Sequence, residues 1–386
     1  MPVLNRIAGL ADQMTDWRRT LHRMPELRFE LPKTADFVAE RLREIGVDAI
    51  HEGIAQTGIV AIIEGRGPGP TIGLRADMDA LPMQEESGAA WSSETPGAMH
   101  ACGHDGHTTM LLGAAHYLAE TRNFAGRVAL IFQPAEEFGG GAQVMVQEGI
   151  LDRFAISEIY ALHNAPGTPV GHFYTTPGPI MAAVDTFSIT ITGKGGHAAY
   201  PQDTRDPIVA GAAITQGIQT IVSRSHRTLD ELVVAVTQFH AGSADNVTPA
   251  TAWLNGTVRT FDPAVQEMVE ARLAEIVAGC AAAHGVSAEL DYDRGYPATV
   301  NDPDKAAFAA EVAREVAGPE NVIDDAPPEM GAEDFAYFLN ECPGAYLFVG
   351  NGDTAGLHHP AYDFTDEAAA SGASFFARLV ERALPL

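Results

Sequence analysis

Residues 99–107 concentrate side chains that bind transition metals. The segment contains Cys102, three histidines at positions 100, 104 and 107, and Asp105. Cys102 and His104 stand two residues apart, and in an extended or turn segment this spacing points both side chains to the same side. Thiolate, imidazole and carboxylate together suit zinc and its neighbours manganese, cobalt and nickel. The segment therefore predicts half of a metal site.

Other parts of the chain offer the remaining ligands. Residues 133–137 end in the pair Glu136 and Glu137, His163 follows an apolar run, and paired histidines stand at 358 and 359. Adjacent carboxylates repel each other in a low-dielectric site, and the repulsion is relieved if one binds a cation while the other exchanges a proton with water. This division into ligand and general base predicts a hydrolytic enzyme.

A competing interpretation makes Cys102 a nucleophile, with His104 or His163 as its base. Thiol proteases need one base and one orienting group. This chain instead clusters a surplus of imidazoles and carboxylates, so we favour the metal-binding interpretation. Cys280 and Cys342 are interpreted as ordinary structural residues.

Composition points away from nucleic-acid and membrane partners. The 386 residues carry a formal charge of −27, which repels phosphate backbones and anionic lipid headgroups. No segment approaches the roughly 20 apolar residues of a membrane span, and the first thirty residues contain no run typical of a signal peptide. Three cysteines are too few for a disulfide framework. We expect a cytoplasmic protein.

Short apolar runs that alternate with helical patterns predict an α/β fold with a mostly parallel, mixed sheet flanked by helices. The predicted strands are 71–76, 127–132, 158–162 and 345–349. Helical patterns cover 8–45 and 107–121. Asp77, Glu136 with Glu137, and His163 each come just after a predicted strand. Open α/β sheets bind ligands at the carboxyl ends of their strands, so these residues should converge.

Residues 183–295 have a different pattern of predicted strands and helices. Strands and helices there follow a β-α-β-β-α-β order, which is typical of a ferredoxin-like unit. Since the chain is longer than one core usually supports, we predict two domains. Residues 1–182 and 296–386 form a discontinuous catalytic domain, and 183–295 form an inserted lid or dimerisation domain.

Five motifs carry a resemblance to a known family. They are RADMDALP at 75–82, MHACGHDGH at 99–107, QPAEE at 133–137, GKGGHAA at 193–199 and LHHPAYDF at 357–364. Together they resemble the aminoacylase-like metallopeptidase family, above all its branch of hippurate hydrolases, N-acyl-amino-acid amidohydrolases and plant auxin-conjugate hydrolases. The likeness runs in order over nearly the whole chain and includes the inserted domain.

The resemblance implies two divalent metal ions, which could be zinc, manganese, cobalt or nickel. Cys102 bridges or nearly bridges them, and the implied remaining ligands are His104, Glu137, His163 and His358. The family's Leu-His-x-Pro pattern favours His358 over His359.

One ligand position departs from the wider family, which carries a histidine where this chain has Arg75. The resemblance suggests His104 as the substitute. Asp77 matches the aspartate that steadies the site, so we assign it to orienting the ligands from behind.

The resemblance also implies a mechanism and a substrate. Metal-held water gives its proton to Glu136 and attacks the amide carbonyl, and Glu136 returns the proton to the leaving amine. On the inserted domain, His197 is expected to reach the oxyanion from the neighbouring subunit of a homodimer, and Asn246 and Arg259 to hold the substrate. Because arginine grips a carboxylate through two hydrogen bonds, we expect small-molecule N-acyl-L-amino acids such as hippurate.

Two alternative functions remain at this stage. The same site could serve a dipeptidase or carboxypeptidase, since peptide and acyl-amide bonds differ little at the carbonyl. The chain could also be a non-catalytic, ligand-binding relative, although the presence of both Glu136 and Glu137 argues against this. The loop at 331–334 resembles a family loop near the pocket, but its acids receive no role.

Overall fold

A computed structural model describes residues 4–386 of the chain. The α-helices in that range are α1 (Asn5–Ala8), α2 (Ala11–Arg23), α3 (Pro32–Ile45), α4 (His104–Thr121), α5 (Gly141–Gln147), α6 (Ile150–Arg153), α7 (Pro207–Thr220), α8 (Pro263–His284), α9 (Pro303–Ala317), α10 (Ala336–Glu341) and α11 (Asp366–Ala383). Short 3₁₀ turns lie at Pro201–Asp203 and Pro319–Asn321, and a π-helical turn spans Ile221–Ser225. Among these described helices, none is both long and apolar enough to cross a membrane.

The strands of the same range are β1 (Ala49–Ile54), β2 (Gly58–Glu64), β3 (Thr71–Asp77), β4 (Arg127–Gln133), β5 (Ile156–Pro166), β6 (Phe173–Tyr174), β7 (Gly178–Met181), β8 (Ala183–Thr192), β9 (Gly196–His197), β10 (Leu232–Ala241), β11 (Val247–Thr248), β12 (Thr251–Thr260), β13 (Ser287–Arg294), β14 (Thr299–Asn301), β15 (Val322–Ile323) and β16 (Gly344–Gly352).

The chain forms two compact units. The first comprises Met1–Ile180, Thr299–Pro327 and Asp334–Leu386, and the second comprises Met181–Ala298 and Pro328–Glu333. The short segment at 328–333 was expected in the catalytic domain. It joins the second unit because the Ala182 N–H donates to the carbonyls of Glu329 and Gly331, a pairing between distant residues that the sequence pattern does not reveal.

The first unit is built on an eight-stranded mixed sheet with the order β1-β2-β4-β3-β5-β16-β6-β15. The central strands β4, β3, β5 and β16 run parallel to one another, whereas β1 and β2 are antiparallel to their neighbours. All residues of β3 are buried, as expected for a parallel strand covered on both faces. The predicted α/β fold is confirmed.

The second unit contains a four-stranded antiparallel sheet with the order β10-β12-β8-β13. With α7 and α8 it follows the predicted β-α-β-β-α-β order. Its core joins apolar residues of the sheet, such as Ile189, to residues of both helices, such as Ile214 and Leu273. Helix α8 begins after Asp262, whose side chain accepts a hydrogen bond from the Ala264 N–H, a strong helix-start signal.

Two sequence predictions about element bounds were wrong. The helical pattern at 8–45 is broken into α2 and α3, since the residue before Pro25 is disfavoured in a helix and α3 restarts with Pro32 in its first turn. Strand β5 continues to Pro166, beyond the predicted end at 162, because β16 pairs with it over its whole later half. His163 therefore lies within the strand.

The turn before α4 depends on a glycine. Gly103 has a φ of +88°, and a Cβ there would lie 2.4 Å from Asn164 Nδ2 and 2.5 Å from Tyr362 Oη. Only glycine fits both the left-handed backbone and the close approach. The turn sets Cys102 and His104 at the start of α4, whose first two turns are fully buried.

A buried charge network ties three parts of the first unit together. Arg18 of α2, with no exposed surface, pairs with Asp363 at 2.8 Å and with Asp366 of α11 at 2.7 Å. One turn further along α2, His22 Nδ1 lies 2.7 Å from Asp105 of α4. Buried charges are costly without partners. These pairs therefore hold α2 against both the start of α4 and the start of α11.

Replacing His22 by glutamine should change how stability depends on pH. Burial alone lowers the pKa of His22, but the charge and hydrogen bond of Asp105 and a hydrogen bond to Glu85 raise it to about 9. Because this folded-state pKa exceeds the ordinary 6.5, the stabilisation is fully present below pH 6.5 and is lost as the pH rises through 9. At 1.36 kcal/mol per pKa unit, the loss is about 3 kcal/mol.

The measurement is the free energy of urea unfolding across this pH window. His22→Gln should lack the pH-dependent component that the wild-type protein shows. His116→Gln, which alters a partly exposed histidine of α4, should keep it. A constant difference between wild type and His22→Gln at all pH values would contradict the assignment.

Candidate metal centre

Several of the predicted site residues lie at the carboxyl ends of the parallel strands. Asp77 ends β3, Glu136 and Glu137 follow the end of β4, His163 lies near the end of β5, and His358 follows β16. Ligands bind at this edge of open α/β sheets. The sheet topology thus collects residues that are far apart in the sequence.

Five predicted ligands meet in two groups that share one sulfur. The ligand atoms of Cys102, His104 and His163 lie within 4.8 Å of one another, and so do those of Cys102, Glu137 and His358. Cys102 Sγ is 3.4 Å from His163 Nε2, and His358 Nε2 is 3.4 Å from Glu137 Oε1. Each group could hold one cation, and Cys102 would then lie close to both.

The hydrogen bonds of His163 leave one nitrogen available for a metal. Its Nδ1 lies 2.8 Å from the Asn164 carbonyl oxygen, and since a carbonyl only accepts, Nδ1 carries the hydrogen. Nε2 then has a lone pair and faces Cys102. Burial, followed by the charge of His107, holds the pKa of His163 well below its ordinary value, so the imidazole is neutral, as a metal ligand must be.

His107 carries its hydrogen on the same ring nitrogen as His163, but its lone pair is already occupied, so it is not placed to bind a metal. Its Nε2 accepts the backbone N–H of Asn164 at 2.9 Å, so the hydrogen sits on Nδ1, which donates to Asp77 Oδ1 at 2.6 Å. Both ring nitrogens are therefore used. His107 positions Asp77 and does not act as a ligand.

His104 is surrounded by four carboxylates, of which Asp79 is the nearest. Its Nδ1 is 3.3 Å from Asp79, and its Nε2 is 3.8 to 4.0 Å from Asp77, Glu136 and Glu137. Neither ring nitrogen has a hydrogen-bond partner among the described residues. Burial alone lowers the pKa of His104, but these carboxylates raise it to about 10. The site therefore requires positive charge, which a divalent cation would supply in place of the proton.

The environment of Cys102 argues against an activated thiol nucleophile. Burial, followed by the charges of Glu137, Glu136 and Asp77, raises the pKa of Cys102 well above its ordinary value. Reactive cysteines instead lie in electropositive surroundings that lower the pKa. A thiolate is stable here only beside a cation, so the donor set fits a metal site.

Of the two late histidines, His358 approaches the cluster. It adopts the left-handed region, with a φ of +61°, and its N–H donates to the Ala101 carbonyl at 2.8 Å. Its side chain is 53% exposed, which makes it the most open of the five predicted ligands. His359 Nδ1 accepts the N–H of Ala361 and points elsewhere.

Arg75 is fully paired inside the unit and offers no lone pair to a metal. Its guanidinium contacts Asp77 at 2.7 Å, Gln133 at 2.8 Å and Asp334 at 3.0 Å. Asp334 also accepts from the Ala142 N–H at 2.9 Å. The sequence predicted no role for Asp334. No sequence signal pointed to this pairing, because Arg75 and Asp334 meet only through tertiary packing.

Other supporting residues were also missed. The Asn164 side chain donates to the Cys102 carbonyl at 2.6 Å and accepts from the Tyr362 hydroxyl at 2.7 Å. Asp79 accepts the backbone N–H groups of both glutamates, at 3.0 and 3.1 Å. Both Asp79 and Tyr362 could have been noticed in the sequence, because Asp79 is the second aspartate of the motif at 75–82 and Tyr362 lies within the motif at 357–364.

The three remaining predicted residues lie in the second unit. His197 in β9 pairs with Val247 in β11, and the Ala198 N–H donates to the Asn246 carbonyl, so His197 and Asn246 are neighbours on an exposed surface. Arg259 on β12 is half-buried and contacts Thr257. Among the described residues, no carboxylate forms an ion pair with Arg259, and burial lowers its pKa.

Known proteins resemble this chain over almost its full length. It is 38% identical over 379 residues to the hippurate hydrolase of Campylobacter jejuni, covering 98% of each protein. It is also 37% identical over 359 residues to thermostable carboxypeptidase 2 of Saccharolobus solfataricus, covering 91% of this chain and 90% of that protein.

The crystal structure of the Bacillus subtilis YXEP protein, described as a dinuclear metal binding peptidase from the M20 family, has the same fold. It matches with a TM-score of 0.85 and 35% identity, covering 98% of this chain and 99% of that one. A family model described as peptidase family M20/M25/M40 matches residues 73–382. The predicted family resemblance is confirmed, and the chain belongs to peptidase family M20/M25/M40.

Proposed function

We propose that this protein is a metal-dependent amidohydrolase that cleaves N-acyl-L-amino acids into a carboxylic acid and a free amino acid. The observation that carries the proposal is the pair of ligand groups that share Cys102 beside a carboxylate, Glu136, that belongs to neither group. The similarity to a hippurate hydrolase supports this substrate class.

The proposed cofactors are two divalent cations per subunit. His104, His163 and Cys102 would hold one, and Glu137 and His358, which also lie close to Cys102, would hold the other. Sulfur, nitrogen and oxygen ligands together suit zinc, manganese, cobalt or nickel. The metal-binding description of the YXEP protein supports the pair, and Asp77 orients the ligands from behind through His107.

Glu136 moves the proton in the proposed reaction. The cation pair, when bound, polarises the amide carbonyl and lowers the pKa of the attacking water. The Glu136 carboxylate lies within 4.8 Å of the ligand atoms of His104 and Glu137, close enough to accept the proton of a water in the site. It then donates that proton to the nitrogen of the leaving amino acid.

The second unit supplies the substrate-holding residues and serves as a lid and dimerisation domain in this proposal. Arg259, which forms no ion pair among residues 4–386, grips the free carboxylate of the substrate with help from Asn246. His197 contributes to stabilising the oxyanion of the neighbouring subunit in a homodimer. Closure of the second unit then excludes water during the reaction.

A dipeptidase or carboxypeptidase is the second candidate, because a carboxypeptidase is among the relatives. Assays of metal-loaded protein on N-acetyl, N-benzoyl and indole-acetyl amino acids, set against dipeptides, decide between them. Faster cleavage of dipeptides would favour the peptidase. Absence of hydrolysis on every substrate would favour a non-catalytic, ligand-binding relative.

Glu136→Gln should abolish most turnover and leave the metals bound. Loss of a general base costs about 10²- to 10⁴-fold in kcat, while both ligand groups stay intact. Glu137→Gln is the matched contrast, because it removes a ligand and should lower the metal content. Elemental analysis measures the metal content, and hippurate hydrolysis measures kcat. A wild-type kcat in Glu136→Gln would exclude Glu136 as the general base.

Arg259→Ala should remove the preference for a free carboxylate. Charged hydrogen bonds contribute about 1.5–3 kcal/mol, so kcat/KM for hippurate should fall about 10- to 100-fold. Hippuramide, which has an amide in place of the carboxylate, serves as the control, and its hydrolysis should change little. Equal losses on both substrates would argue against carboxylate recognition.

Mixing two inactive variants tests whether His197 acts across a dimer. In a mixed dimer of Glu136→Gln and His197→Ala, one site contains both intact residues if His197 comes from the partner. Subunit exchange should therefore restore about one quarter of wild-type activity. If both residues act within one subunit, the mixture stays inactive.

A further inference from the structure

Asp79 contacts several parts of the metal centre although it belongs to none of the ligand groups. It lies two residues beyond the end of β3 and is almost fully buried. Its Oδ1 accepts the Glu136 N–H at 3.0 Å, and its Oδ2 accepts the Glu137 N–H at 3.1 Å. The two oxygens of one carboxylate thus accept hydrogen bonds from two consecutive backbone N–H groups, those of the proposed general base Glu136 and the proposed ligand Glu137.

The backbone held by Asp79 is a sharp turn. Ala135, just before the two glutamates, has a φ of +57°, a left-handed conformation that is unfavourable for residues other than glycine. Charge-assisted hydrogen bonds from a carboxylate to backbone amides are stronger than neutral ones. Asp79 is therefore placed to stabilise the turn that aims both glutamate side chains.

The same carboxylate also lies beside the imidazole of His104. Asp79 Oδ1 is 3.3 Å from Nδ1, while Nε2 faces Asp77, Glu136 and Glu137 on the other side of the ring. Metal-binding histidines commonly direct one nitrogen to a carboxylate and the other to the metal. The position of Asp79 beside Nδ1 leaves Nε2, which faces the other carboxylates, as the nitrogen that would bind a metal.

We propose that Asp79 is a positioning residue that holds Glu136, Glu137 and His104 in one productive arrangement. It couples the general base to one ligand of each cation, so a shift in one is transmitted to the others. Misplacement of catalytic groups by about 1 Å can cost 10²-fold in rate. This inference rests on the proposed metal site and assigns the residue that organises it.

The test is Asp79→Asn, which keeps the shape of the side chain but leaves only one oxygen to accept two N–H groups. We expect the cobalt-loaded variant to show an altered visible absorption spectrum and a cobalt affinity about 10- to 100-fold weaker than wild type. The kcat for hippurate should fall by a similar factor, with KM nearly unchanged, because Asp79 does not contact the substrate.

Asp185→Asn is the matched control. Asp185 is an equally buried aspartate of the second unit that accepts hydrogen bonds from Gln266 and Tyr292. Its replacement should lower the thermal midpoint and leave the cobalt spectrum and affinity unchanged. If Asp79→Asn lowers only the thermal midpoint, as this control does, the positioning role is overturned.

Asp79→Glu covers the case in which the asparagine variant does not fold. It keeps the charge and both acceptors but moves the carboxylate by one methylene, so the cobalt spectrum and kcat should again change. Wild-type values of both would overturn the proposal. Cobalt affinity needs no turnover, so failure of the proposed hydrolysis would be seen separately, in wild-type protein that binds cobalt but cleaves no substrate.

Discussion

The crowding of buried carboxylates at the ends of β3 and β4 is the constraint on which the rest of the structure depends. Asp77, Asp79, Glu136 and Glu137 all lie within 4.0 Å of one imidazole, that of His104. Like charges in a low-dielectric interior repel strongly. The protein compensates with a buried arginine on one side and leaves the other side to cations.

Asn164 decides which histidines can bind metal. Its backbone N–H occupies His107 Nε2, and its backbone carbonyl takes the hydrogen of His163 Nδ1. Both rings thereby carry their hydrogen on Nδ1, but the Nε2 lone pair of His107 is occupied by the Asn164 N–H, whereas the Nε2 lone pair of His163 faces Cys102. A single residue at the end of β5 thus separates a supporting histidine from a ligand by the direction of its backbone groups.

The sequence predicted the parts of this arrangement that depend on local pattern. Apolar runs predicted strands at 71–76 and 127–132, and the structure places β3 and β4 there, each one residue longer. The pairing of Arg75 with Asp334 could not be predicted, because it joins residues 259 positions apart through tertiary packing. The exclusion of His107 was equally hidden, since it depends on hydrogen-bond direction and not on residue type.

The position of His358 in the chain has a consequence for biosynthesis. Four of the five proposed ligands precede the second unit in sequence, whereas His358 follows it. Domains generally fold as units while the chain is being made, so the second unit can fold before the last ligand has been translated. Until then the carboxylates near Cys102 lack one partner for their cations. The full set of proposed ligands is therefore available only after the second unit has been translated.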